Sequence, residues 1–530
     1  MSSAVSQFRH DEAVWKPKHS PWLIALVVTL ATFMEVLDTS VANVSLPHIA
    51  GNLSAGLDES TWVLTSYLVA NAVVLPLSGW FSDRIGRKRF YMSCVALISV
   101  SSLLCGLAPS LGWLVFFRIL QGVGGGGLQP SEQSILADTF PPAKRGMAFA
   151  VYGMAVVAAP ALGPTLGGWI TDNFSWRWIF LINIPVGVVS LLLTYRLIAD
   201  PPYLKERRQV RRGIDYIGFG LIVIGLAALQ IVLDKGQRND WFETPYIVVL
   251  TWIFVAALVA AVFWELRVKD PVVDLRLFKQ RNFAMATMML FILGIVLYGS
   301  TVLLPQFTQE LMGYTAMLSG MVITPGAILI MFLMPVAGLL VTHFDVRKVL
   351  AAGFIGLGVS LIYMTRLNLT VDFNTLMMAR VFQSAALPFI FLPINIAAYA
   401  YLARDKNNAA SGLINLARNI GGSVGISLVT TILARRAQFH QTVLAGHLTG
   451  SSVPLMAGAH KLTGWLAAAG STAWTAQQRT IGLISNLVMQ QARLLAYIDN
   501  FFLMGLLVIL FVPLAFLMKR SQPGQVSLAH

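Results

Sequence analysis

A chain of 530 residues with 56% hydrophobic and only 12% charged residues cannot keep a wet surface, since soluble domains carry about 25% charged residues. Its mean hydropathy of +0.70 places lipid against most of that surface and excludes the several soluble domains its length would otherwise suggest. The formal charge of +14 raises nucleic acid as a partner, a question decided by where the basic residues fall.

A helix needs about 20 apolar residues to cross the hydrocarbon core. On that rule the chain reads as an all-α membrane protein with fourteen predicted spans. They lie near 22–47, 62–82, 90–109, 113–137, 146–171, 176–198, 214–234, 245–266, 283–309, 319–342, 348–364, 374–401, 409–434 and 498–518. Residues 1–21 form a tail before the first of them. The stretch from Trp22 to Leu46 is too long for a cleavable signal, holds two acids and lacks a small-residue cleavage site, so it reads as a span. Glu35 and Asp38 stand three apart on one helix face, roughly 13 to 17 residues into the span and hence near mid-bilayer. Two carboxyls sharing a desolvated face are costly to keep charged together. The pair can therefore hold a proton and release it when a cation or water arrives. Asn43 adds a polar side chain later in the same span.

Between the second and third spans runs Gly79-Trp-Phe-Ser-Asp83-Arg84-Ile-Gly86-Arg87-Lys88. Gly79 permits close helix approach, Asp83 suits a helix N-terminus, and the basic residues anchor the loop in the cytoplasm. The run resembles the signature of the major facilitator superfamily, in which this loop helps to latch two six-helix halves on the cytoplasmic side. A second copy, from Gly338 to Lys348, is degenerate. Cys94 and Cys105 are eleven residues apart on one predicted helix, about 16 Å, too far for a disulfide, and read as packing residues.

The fourth span carries Arg118-Ile-Leu-Gln121-Gly122-Val-Gly124. An arginine within a bilayer costs roughly 3 kcal/mol, so it needs a partner and a task. The run resembles the family's fourth-span motif, which links Arg118 to proton transfer. The glycines from Gly122 to Gly127 lie in an apolar helix and do not read as a phosphate loop. The fifth span holds Gly153, Pro160, Gly163, Pro164, Gly167 and Gly168. Glycines allow tight packing, while prolines free carbonyls and bend the helix. The segment resembles the motif of antiporters. The run from Leu37 to Pro47, with Trp178-Ile-Phe-Leu-Ile-Asn183-Ile-Pro185 in the sixth span, resembles the fourteen-span drug:proton antiporters. The likeness covers essentially the whole chain and is nearest the EmrB-type multidrug exporters. Glu35 departs from it, since an uncharged residue is expected there.

Five identities recur at an offset of 262 residues: Asp83 with Asp345, Arg118 with Arg380, Gln121 with Gln383, Lys144 with Lys406 and Gly163 with Gly425. The division that follows is a six-helix half over 22–198, an inserted pair with its flanking loops over 199–282, a second half over 283–518 and a tail over 519–530. Arg380, the mate of Arg118, reads as structural. In the thirteenth span Asn415, Arg418, Asn419, Gly421, Gly422 and Gly425 cluster, and Arg418 belongs inside the bundle, near substrate or beside an acid. The stretch 435–497 is too long for an idle connection. Its amphipathic segment Thr475–Tyr497 suits a helix lying on the membrane or packed on the outer mouth. The resemblance makes this loop the meeting point with a periplasmic adaptor protein that leads to an outer-membrane channel.

With the N-terminus cytoplasmic, 26 of the 38 lysines and arginines fall in cytoplasmic segments, including Lys205, Arg207, Arg208, Arg211 and Arg212. Lys235 and Arg238 weaken the alternation in one short loop. Positive charge is thus an orientation signal that places both termini in the cytoplasm, with no call for nucleic acid, and the resemblance implies a bacterial inner membrane. The eight histidines show no metal-ligand spacing, no GxxxxGK[ST] loop occurs, and no nucleophile stands with a base. No catalytic residue, metal or cofactor is expected. The resemblance implies a secondary multidrug exporter exchanging protons for small amphipathic drugs, with a specific metabolite or siderophore exporter as the alternative. Proton coupling then falls to Glu35, Asp38 and Arg118, and substrate contact to Glu35, Asp38, Asn43, Gln121, Asn415 and Arg418. Gating falls to Gly79, Asp83, Arg84, Gly86, Arg87, Gly163, Pro164, Gly167 and Gly168.

Overall fold

Hydrocarbon offers no water to the backbone, so a chain that crosses it must satisfy its own amides, and helices do this within one segment. The computed structural model describes residues 17–201, 215–402, 406–448 and 453–519. The basic run from Lys205 to Arg212, residues 1–16 and residues 520–530 lie outside the described residues. Among the described residues thirteen helices are long and apolar enough to cross a membrane, and one bent helix brings the number to fourteen.

Spans 1 to 4 are Pro21–Val44, Trp62–Ile85, Arg87–Gly106 and Leu111–Thr139. Spans 5 to 8 are Pro142–Asn173, Trp178–Leu197, Tyr216–Lys235 and Pro245–Arg267. Spans 9 to 12 are Arg281–Gln306, Ala316–His343, Val346–Tyr363 and Phe373–Tyr399. Spans 13 and 14 are Asn407–His447 and Ala473–Leu510. The first six and last six spans meet along two seams, span 5 against span 10 and span 2 against span 13. Spans 7 and 8 pack on each other, and span 7 lies against spans 2 and 13.

Span 5 bends by 48° between Pro160 and Leu162. Pro164 has no N–H for the carbonyl of Pro160, four residues back, and the Ser40 hydroxyl of span 1 donates to that carbonyl at 2.8 Å. The bend and its repair therefore tie span 5 to span 1. Lys235, one of the two exceptions in the charge pattern, is not a loop residue. It is buried at the end of span 7, donates to the Thr61 hydroxyl at 2.5 Å and lies 4.8 Å from the Trp62 ring.

Two predicted limits are corrected. Span 13 runs 41 residues and span 14 runs 38, about 62 and 57 Å, roughly twice the hydrocarbon thickness. The segment Thr475–Tyr497 is the leading part of this last long helix and not a separate helix lying on the membrane. A hydropathy rule ends a span where charge begins, but no proline interrupts residues 435–447 or 473–497, so both helices continue into water. A helix over Val453–Ala468 packs against span 14 to complete the protrusion.

Candidate functional site

Spans 1 and 4 face each other through a ladder of polar side chains. At its upper rung Arg118 Nη1 donates to Asp38 Oδ2 at 2.5 Å, and both side chains are buried. Gln121 donates to the same carboxylate at 3.1 Å and Asn183 of span 6 at 2.6 Å. Arg118 Nε is held by the carbonyl of Val63 at 3.0 Å, and its guanidinium lies 4.4 Å from the Tyr67 ring centroid. Arg118 is thus a fully buried ion-pair partner and not a side chain reaching for the interface.

The next rung is Glu35, which takes neutral donors. The Tyr67 hydroxyl donates to Oε1 at 2.7 Å, Asn71 Nδ2 to the same oxygen at 3.3 Å, and Gln129 Nε2 to Oε2 at 2.7 Å. The two acids therefore do not form one shared pair. Three residues of helix turn them about 60° apart, which sends Asp38 toward Arg118 and Asn183, and Glu35 toward span 2. The glycines of span 4 make this approach possible: a methyl added at Gly125 would stand 2.5 Å from the Tyr67 hydroxyl. Gln129 also accepts from Arg418 Nη2 of span 13, so one amide joins Glu35 to a cation of the other half. Arg418 Nη1 reaches the Tyr152 hydroxyl at 3.3 Å, and Asn415 donates to Gln133 at 2.8 Å. Below these lies Glu132, fully buried, whose Oε1 accepts from the Thr29 hydroxyl at 2.6 Å.

Sequence motifs singled out Glu35, Asp38, Arg118, Gln121, Asn415 and Arg418, and the fold gathers all six in this network. Asn43 stands apart. It is exposed, because five residues of helix rotate it about 140° from Asp38. Tyr67, Gln129, Glu132 and Tyr152 were missed, although an acid inside a membrane span was signal enough for Glu132.

The repeat is legible in the side chains. Arg380 donates to Gln383 at 2.6 Å, as Arg118 does to Gln121 at 2.7 Å. The mate of Asp38 is Ser300, which lies 3.4 Å from Arg380 Nη1, so this half keeps the arginine without the acid.

At the face where span 1 begins, the loop motif closes on the N-terminal turn of span 13. Arg87 is buried and ion-paired with Asp138, and its Nε donates to Asn408 at 3.0 Å. Asn408 donates to Asp83 at 2.7 Å, and Asn407 to Asp138 at 3.1 Å. Gly79 lets span 13 come close, since a methyl there would sit 2.9 Å from the carbonyl of Asn408. Gly86 ends span 2 with φ of 102°, and Arg84 is exposed over the Trp80 ring. One turn inside this latch the Ser134 and Ser411 hydroxyls meet at 2.9 Å, and Tyr399 donates to Gln133 at 3.0 Å. In span 5, Gly163 and Gly167 face Ser40 and Val41 of span 1, whereas a methyl added at Gly168 would meet nothing within 4 Å, so no close helix contact requires a glycine there. The ladder thus holds buried acids within the first six spans, the amide link to Arg418 joins them to span 13, and the latch closes the seam at one face.

Residues 28–426 match the family described as the Major Facilitator Superfamily. The multidrug export protein EmrB of Escherichia coli K12 is 36% identical over 482 residues, 91% of this chain and 92% of that protein. The fatty acid resistance protein FarB of Neisseria gonorrhoeae is 38% identical over 496 residues, 94% and 96% of the two chains. Among solved structures, the proton:xylose symporter XylE bound to 6-bromo-6-deoxy-D-glucose has a TM-score of 0.59 at 14% identity, with 96% and 97% of the chains covered, a likeness of fold.

Proposed function

Because the chain belongs to the major facilitator superfamily, we propose that it works as a secondary multidrug exporter, exchanging protons for small amphipathic drugs by alternating access. The observation that carries the reading is the buried Asp38–Arg118 pair with Glu35 one turn away. A proton arriving on Asp38 removes the charge that Arg118 balances, which loosens the 2.5 Å contact and frees the arginine for another arrangement. Glu35, held by three neutral donors, feels the other half through Gln129 and Arg418. Cargo that displaces this link would favour loss of the proton. Drug and proton then compete for one set of side chains, as exchange requires.

The six–two–six division and the orientation belong to the same proposal. The latched face is the cytoplasmic one, both termini lie there, and the membrane is a bacterial inner membrane. The alternation of basic residues supports this, and of its two exceptions Lys235 is buried at the end of span 7, leaving Arg238 in the loop. The protrusion formed by the ends of spans 13 and 14 would then stand in the periplasm. It exposes Trp465, Trp474, Ile481 and Leu487, a surface suited to a periplasmic adaptor that leads to an outer-membrane channel.

Intact cells that overexpress the chain should expel ethidium when energised and cease when an uncoupler is added. Efflux that persists in the Glu35→Gln/Asp38→Asn double variant would overturn the assignment of the proton to these acids.

A further inference from the structure

The ladder between spans 1 and 4 holds one acid for which the exchange just described has no use. Glu132 is fully buried and three residues, about 4.5 Å of helix, from Gln129, the amide that holds Glu35. Its Oε1 is bound by Thr29, while its Oε2 and the hydroxyl of Thr32, one turn further along span 1, have no hydrogen-bond partner among the described residues. The titratable groups that face it are Glu35 of span 1, Tyr91 of span 3 and Tyr152 of span 5, with no lysine or arginine among them. The Tyr91 hydroxyl is engaged by the carbonyl of Val28 at 3.0 Å. A carboxyl in such a place is stable in its neutral form and carries a proton rather than a charge.

Its second feature is where it sits on span 4. Gln133 and Ser134, the next two residues, make the cross-half contacts with Tyr399, Asn415 and Ser411, and the Ser134 carbonyl accepts from Arg87 at 3.2 Å. Successive residues of a helix point about 100° apart. One turn of span 4 therefore turns Glu132 toward span 1 and its neighbours toward the other half. When the halves part at this face, the contacts that break are those beside Glu132, and water enters next to it.

We infer that Glu132 is the last proton carrier on the path to the latched face, taking the proton that Glu35 gives up and releasing it when the latch opens. The inference rests on the proton-exchange reading above. In the transfer the Glu35 carboxylic acid loses its proton and becomes a carboxylate, and the Glu132 carboxylate becomes a neutral acid. On opening, Glu132 passes the proton to entering water and returns to a carboxylate. Exchange of one drug molecule for another needs no net proton and bypasses this step, so drug–drug exchange and proton-driven exchange should separate.

The test uses the full chain in sealed liposomes, with ethidium as the probe and a pH gradient imposed across the membrane. In Glu132→Gln the gradient-driven ethidium flux should fall roughly tenfold or more, while ethidium-for-ethidium exchange persists. Glu132→Asp should regain part of the gradient-driven flux. In infrared difference spectra the protonated-carboxyl band should be lost in Glu132→Gln and return, shifted, in Glu132→Asp. A wild-type chain that responds to the gradient beside a Glu132→Gln variant that responds equally overturns the carrier assignment and leaves the exchange reading standing. Loss of ethidium binding in both the Gln and Asp variants marks a structural acid and overturns it as well. A wild-type chain indifferent to the gradient removes the exchange reading itself.

Discussion

Asp38 and Arg118 are bound so closely that neither side chain can be removed alone without stranding a charge in the bundle. Breaking a buried pair from one side costs about 3–5 kcal/mol. Arg118→Met should lower the unfolding free energy in detergent by that amount, and Arg118→Met/Asp38→Asn should recover a good part of it. Equal losses in the two proteins would show that packing against Tyr67, not charge balance, is what Arg118 supplies. These residues were readable from sequence because a charge inside an apolar run is conspicuous. Gln121 was readable with them, but the side chains around Glu35 and Arg418 were not, because Gln129, Tyr67 and Tyr152 acquire a role only when spans 2, 5 and 13 close on them. Glu132 was equally conspicuous as an acid inside an apolar span, yet it lies outside the motif runs, and following motifs alone passes over it.

Helices impose a second set of requirements. The carbonyl of Pro160 has lost its helical donor to Pro164, and Ser40 supplies the replacement at 2.8 Å. Ser40→Ala leaves that carbonyl unpaired, at a cost of about 1–3 kcal/mol, and should lower the melting temperature without changing helix content by circular dichroism. Gly125 plays the corresponding part in span 4. Gly125→Ala would press its methyl against the Tyr67 hydroxyl and push that donor away from Glu35, at a cost of about 1–3 kcal/mol of overpacking. Tyr67→Phe in the same chain removes the crowded oxygen, so the double variant should be more stable than Gly125→Ala alone. The number of spans was legible because each is a run of apolar residues. The true ends of spans 13 and 14 were not, since helix formation continues past the point where hydropathy stops.

Across the whole molecule the two halves repeat the same arginine–glutamine contact but differ in charge, for Asp38 corresponds to Ser300. On the proton-exchange proposal, protonation chemistry is then confined to the first half, and the second half responds through the seam. The latch is the part of that seam most open to test. Asn408 receives from Arg87 and donates to Asp83, so Asn408→Ala removes two hydrogen bonds to charged groups while leaving the Arg87–Asp138 pair in place. Such bonds contribute about 1.5–3 kcal/mol each, and every 1.4 kcal/mol is a tenfold change in population. The closed state should yield to the open one by roughly tenfold or more. Ser411, buried against Ser134 just inside the latch, is the natural reporter. Cys94 and Cys105 are the chain's only cysteines and both are buried, so background labelling is low. In a Ser411→Cys background, Asn408→Ala should speed maleimide labelling from the latched face. An unchanged rate would mean that the packing of span 2 on span 13, and not these polar contacts, holds that face shut.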